Sequence, residues 1–169
     1  MRTKVFNNLL LFSLFGIALG FFGILYEGIM YGPKLLNTSP DGMLFWKSFT
    51  STISPLGFYI PWDPLATIVL IILYFSTSKE RPLLKKRLGW SAVLQITSLL
   101  LTLYILTQIN FKRSFGDLDE YAVEIPFKVV LFNILSVCRI ILAAIAIAFS
   151  FKSYIQTQTE KHIIKTAGI

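Results

Sequence analysis

Residues 127–151 read FKVVLFNILSVCRIILAAIAIAFSF, an apolar run with Lys128 at its edge and Arg139 at its centre. As a helix rising ~1.5 Å per residue, the run leaves Arg139 about 18 Å from either end, which is the mid-depth of a bilayer. A cation there costs roughly 2.5–3.5 kcal/mol on insertion scales. The guanidinium must therefore face protein, water or a counter-charge. Asn133, Ser136, Arg139, Ala143, Ala146 and Ser150 recur at helical spacing and predict one stripe. That stripe is polar on one side of Arg139 and small and apolar on the other.

The rest of the chain reads the same way. Of its 169 residues, 54% are hydrophobic, and the net charge is +7. The basic residues fall between apolar runs and not along one face, so a nucleic-acid partner is not indicated. Cys138 is the single cysteine and lies inside an apolar run, where it reads as an inert small hydrophobe. His162 is the single histidine. This composition offers no cysteine cluster, no bis-histidine haem ligation and no HExxH zinc site, so neither a metal nor a cofactor is expected.

Four spans are predicted, over residues 5–31, 61–78, 88–111 and 127–151, with a basic tail over 152–169. The class is an all-α polytopic membrane four-helix bundle. The first span is too long for a secretory signal, and Gly32-Pro33 is expected to close it. Gly16, Gly20, Gly23 and Glu27 share a face on which a neighbouring backbone can approach closely. Glu27 then points at another helix, or stands at headgroup level and meets water.

Residues 34–62 form a long aromatic-rich first outer loop. Trp46, Phe49, Phe58, Tyr59 and Trp62 place it at the membrane surface, in part helical around 41–52; a re-entrant hairpin is the alternative. Asp63-Pro64 is expected to start the second helix, with Asp63 as its cap. Residues 79–87, KERPLLKKR, hold five basic residues and one acid. With the basic chain start and tail, they put both termini in the cytoplasm by the positive-inside bias, and the protein in the inner (plasma) membrane. In the third helix Thr97, Leu101, Tyr104 and Gln108 share a face, with Gln95 toward the other end. An acidic connection, Asp117 to Glu124, precedes the last span.

These placements predict an outward-facing pocket with Arg139 at its floor, Tyr104, Gln108, Asn133 and Ser136 in its walls, and Glu27 and Asp63 at its upper boundary. Counting along ideal helices leaves Glu27 roughly 10–15 Å above Arg139, too far for an ion pair. Arg139 is therefore expected to be bonded by Tyr104, Asn133, Ser136 and carbonyl groups, and to donate its fork to an oxygen of a ligand. The competing account is an arginine that staples helices together.

The four spans, the long first loop, Thr107-Gln108-Ile109-Asn110 and the run Asn133-x-x-Ser136-x-x-Arg139-x-x-x-Ala143-Ala144 resemble the anthrone-oxygenase-like membrane family. In that family an asparagine recurs after the third helix, and a polar residue, an arginine and small residues recur in the last. The resemblance makes Asn110 and Arg139 the matching positions, with Asn133 a looser one. It implies the four-helix fold and, for fungal members, oxygenation of polycyclic anthrones without an evident metal.

The expected function is binding of a small, largely apolar molecule with an oxygen function, such as a quinone-like or aromatic compound. Arg139 would orient or polarise the oxygen, and Glu27 would accept a proton. A cofactor-free oxygenase or isomerase fits such a site if it is catalytic. A different class is a non-enzymatic membrane partner, a subunit or immunity-type protein, docking on another membrane protein or on a second copy through the Gly16/Gly20 face. A small transporter is the third class and would need dimerisation to form a two-sided path.

Overall fold

The computed structural model describes residues 3–35, 61–110 and 125–166, and these are almost wholly helical. Helix α1 spans Thr3–Leu35, α2 spans Trp62–Ser76, and α3 spans Pro82–Tyr104 and continues as a π-helical segment, Ile105–Asn110. Helix α4 spans Ile125–Thr166. Each helix runs antiparallel to the next and α4 closes back on α1, giving an up-down-up-down ring. The expected surface helix at 41–52, the rest of the aromatic loop and the acidic connection lie outside the described residues.

The buried positions explain the packing. Along α4 they are Val129, Phe132, Ser136, Arg139, Ala143, Ala146, Ser150, Ser153 and Thr157, an unbroken alternation of steps of three and four. A 3.5-residue repeat of this kind keeps one seam facing its partners over a long helix. The opposite faces carry Phe15, Phe22, Ile68, Phe75, Leu100, Val137 and Ile141, all exposed. Polar groups inside and large apolar groups outside reverse the arrangement of a water-soluble domain. Among the described residues, three helices are long and apolar enough to cross a membrane.

Four expectations are corrected. Helix α1 runs through Gly32-Pro33 and ends at Leu35, because a proline in the last turn removes a single intrahelical hydrogen bond. Helix α4 does not stop at Phe151: Ser153 and Thr157 keep the seam buried, and the supposed tail continues as helix to Thr166. Arg87 Nη1 donates to Gln156 Oε1 at 3.0 Å, and Arg81 pairs with Glu160 at 3.3 Å, fastening that extension to the basic connection.

The third correction concerns α2, which has 15 residues, about 22 Å of rise, and is shorter than the ~30 Å hydrocarbon core. It also starts deep. A Cβ at Gly16 would lie 2.7 Å from Ala66 Cβ, and one at Gly20 would lie 2.5 Å from Asp63 Oδ1. The ring of Trp62 lies 6.4 Å from that of Phe12, so Trp62 sits beside the first half of α1. Gly20 is the eighteenth of the 33 residues of α1, so α2 accompanies α1 from its middle back to the basic end. Beyond Trp62 the described bundle consists of α1, α3 and α4.

The fourth concerns the glycine face. The close approach permitted by Gly16 and Gly20 is used within the chain, by α2. Among the described residues, both glycines are buried against α2.

Candidate functional site

Five buried polar side chains from all four helices converge where α2 begins. Glu27 comes from α1, Asp63 from α2, Gln95 and Ser98 from α3, and Arg139 from α4. Ser136, one turn before Arg139 on the α4 seam, is buried too. Arg139 is 1% exposed, and its Nη1 lies 3.5 Å from Glu27 Oε2.

This ion pair overturns the depth count that separated the two residues. Both helices extend past the limits assumed for them, so the offset between their ends is not the offset between their spans. Gly28 faces Ile140, with a Cβ there falling 3.6 Å from Ile140 Cδ1, which puts Glu27 and Arg139 at adjacent levels. Two long side chains close the remaining distance.

Asp63 does not cap α2. Helix α2 starts two residues earlier than expected, its N-cap position is Pro61, and no side chain caps it. The Asp63 carboxylate instead accepts a hydrogen bond from Gln95 Nε2 at 2.5 Å. It also stands within electrostatic reach of Arg139. One guanidinium therefore pairs with the Glu27 carboxylate and lies within electrostatic reach of the Asp63 carboxyl group.

The hydrogen bonds left unmade are as informative. Helical serines and threonines usually satisfy their hydroxyls on the carbonyl a turn earlier. Thr67 does so on Asp63 O, Thr102 on Ser98 O and Ser153 on Phe149 O. Among the described residues, Ser98 Oγ, Ser136 Oγ, Gln95 Oε1 and the Nε and Nη2 atoms of Arg139 are buried with no hydrogen-bond partner. Buried polar groups are nearly always satisfied, so such a concentration marks a place where something polar belongs.

Other predicted site residues do not join it. Tyr104 is 46% exposed and Gln108 is exposed on the outside of the bundle, because the seam of α3 follows Leu84, Leu88, Ser91, Gln95 and Ser98. Asn133 is half-buried and donates to Val129 O of its own helix at 3.0 Å. The 3.5-residue seam selects Phe132 in its place. Asn110 ends the π-helical segment, and its side chain lies outside the described residues.

Gln95 and Ser98 were the residues that sequence reasoning missed as site members. Their signal was available: Leu88, Ser91, Gln95 and Ser98 repeat at three and four, as Ser136, Arg139, Ala143 and Ala146 do.

Chemically, a guanidinium edge, two hydroxyls and an amide oxygen can bind a polar atom, and two carboxyl groups can exchange a proton with it. No group of three metal-ligating side chains occurs among the described residues. No family model matches the chain, and no curated protein or solved structure is found to be similar to it. The anthrone-oxygenase-like resemblance therefore rests on its short motifs alone.

Proposed function

We propose that the chain is an inner-membrane protein with both termini cytoplasmic, whose bundle core binds a small, largely apolar molecule through a neutral carbonyl or hydroxyl oxygen at Arg139. The observation that carries this reading is the buried, unpartnered Nε–Nη2 edge of Arg139, together with the equally unpartnered Ser136 and Ser98 hydroxyls on the inward seams of α4 and α3. An anionic ligand is disfavoured. Glu27 already balances the guanidinium, and Asp63 adds a second carboxyl group, so an anion would meet repulsion without a free counter-charge.

A fixed guanidinium polarises a carbonyl, and an adjacent carboxylate takes a proton from the carbon or oxygen it activates. Glu27 and Asp63 are the candidates for that acceptor, and an isomerisation or enolisation is the turnover the arrangement suits. Quinone-like and aromatic carbonyl compounds combine the required oxygen with an apolar body that partitions into the bilayer.

The test is mass spectrometry of organic extracts from wild-type protein and from Arg139→Lys, both purified in mild detergent. Lysine keeps a charge for Glu27 but lacks the fork. Wild type is expected to retain an apolar, oxygen-bearing compound near one per chain, and Arg139→Lys to lose it while remaining folded. Retention of no such compound by wild type, or equal retention by both, overturns the proposal.

A further inference from the structure

A second candidate site lies on the outside of the bundle, between α2 and α3 toward the basic end. Ile71, Tyr74, Phe75, Trp90, Val93 and Ile96 border a groove of about 490 Å³ on the face turned toward lipid. Its floor is low because Gly89 stands under the Tyr74 ring; a Cβ there would lie 3.0 Å from Tyr74 Cε2. From Lys86 to Ile96 the groove follows eleven residues of α3, a rise of about 15 Å, long enough to seat much of an acyl chain.

The charges at its mouth are unequal. Of the five basic residues in 79–87, Arg81 and Arg87 are engaged by Glu160 and Gln156, and Lys85 lies 5.2 Å from the centre of the Tyr74 ring. Lys86 lines the groove itself and has no acidic partner among the described residues. A cation left unneutralised at the polar end of an apolar channel is complementary to a lipid phosphate with its chain alongside.

We infer that this groove is a binding site for an anionic phospholipid of the surrounding bilayer, its acyl chain between Tyr74 and Trp90 and its phosphate on Lys86. Lys85, held over Tyr74, and the Trp90 indole at the groove's rim define the level of the headgroup. Neutral phospholipids fit the apolar part equally well, so the preference comes from Lys86.

Trp90 supplies the probe. With Trp46 and Trp62 replaced by Phe, the remaining tryptophan fluorescence reports occupancy of the groove by lipids brominated on the chain, in bilayers of phosphatidylcholine containing increasing phosphatidylglycerol. Brominated phosphatidylglycerol is expected to quench Trp90 at about fivefold lower mole fraction than brominated phosphatidylcholine, the ratio for one lysine–phosphate contact near the surface. Lys86→Glu is expected to abolish that ratio, Lys79→Glu to leave it unchanged, and Val93→Phe, which fills the groove without adding a fluorophore that competes with Trp90, to weaken both lipids alike. Far-ultraviolet circular dichroism checks that each variant is folded. Equal quenching by the two lipids, or a preference that survives Lys86→Glu, overturns the inference.

Discussion

The two halves of the bundle core obey different rules. Toward the basic end, Leu10, Leu70, Leu73, Leu84, Leu88 and Ala146 form one apolar cluster, and the hydroxyls among them are used. Ser13 donates to Ala66 O at 2.8 Å, and Ser91 bonds Ala146 O and Ser150 Oγ at 2.9 and 2.7 Å. Asn7 Oδ1 is the exception there. Toward the other end, the seam of the same helices carries Glu27, Asp63, Gln95, Ser98, Ser136 and Arg139, with five buried polar atoms among them unpartnered. The backbone pattern does not change between the halves, so the difference lies in side-chain choice. One half is closed as a packing unit; the other keeps hydrogen-bonding capacity that the described protein does not consume.

The sharpest break of that contrast is removal of Arg139. Arg139→Met removes the guanidinium paired with the buried Glu27 and is expected to cost about 3–5 kcal/mol, read as thermal unfolding in detergent. Glu27→Gln is expected to cost less, since Asp63 still faces the guanidinium. The pair Arg139→Met with Glu27→Gln recovers much of the loss. If the double variant were as unstable as the sum of the singles, the ion pair would not be the contact that holds the two residues in place.

Next in size are the glycines that admit α2. In Gly16→Ala the new methyl meets Ala66 Cβ and the Trp62 carbonyl, neither of which can rotate away, and a loss of roughly 1–3 kcal/mol is expected. Gly20→Ala meets the Asp63 carboxylate instead. It should move that side chain off Gln95, and so reduce ligand retention more than stability. Gly28→Ala, with 3.6 Å to its nearest atom, is the control and should change neither. Equal effects at all three positions would mean that α2 does not enter the bundle at this depth.

Most of the architecture was legible because it depends on period and composition. The α4 seam and the apolar outer faces follow from sequence spacing, and so does the close approach at Gly16 and Gly20. Relative height was not legible. The ion pair of Glu27 with Arg139 depends on how far α1 and α4 slide past each other, and the burial of Asp63 depends on α2 starting halfway along α1. Neither quantity is written in any one helix. Tyr104 and Gln108 lie off the seam for a related reason: polar residues at helical spacing mark a face, but only the seam shared with neighbouring helices says whether that face points inward.

The smallest effects separate the two halves most cleanly. Ser91→Ala removes a hydroxyl that bonds both Ala146 O and Ser150 Oγ, and a loss of about 0.5–1.5 kcal/mol is expected. Ser136→Ala removes a buried hydroxyl with no partner among the described residues, so unfolding of the ligand-free protein should be unchanged or slightly raised in temperature. Its cost should appear only with ligand, as faster loss of the retained compound during purification. Tyr104→Phe should alter neither measurement, because its ring lies on the outside. A destabilised Ser136→Ala paired with a neutral Ser91→Ala would reverse the contrast and place the structural hydrogen bonds around Arg139, which is what a guanidinium that merely fastens helices together requires.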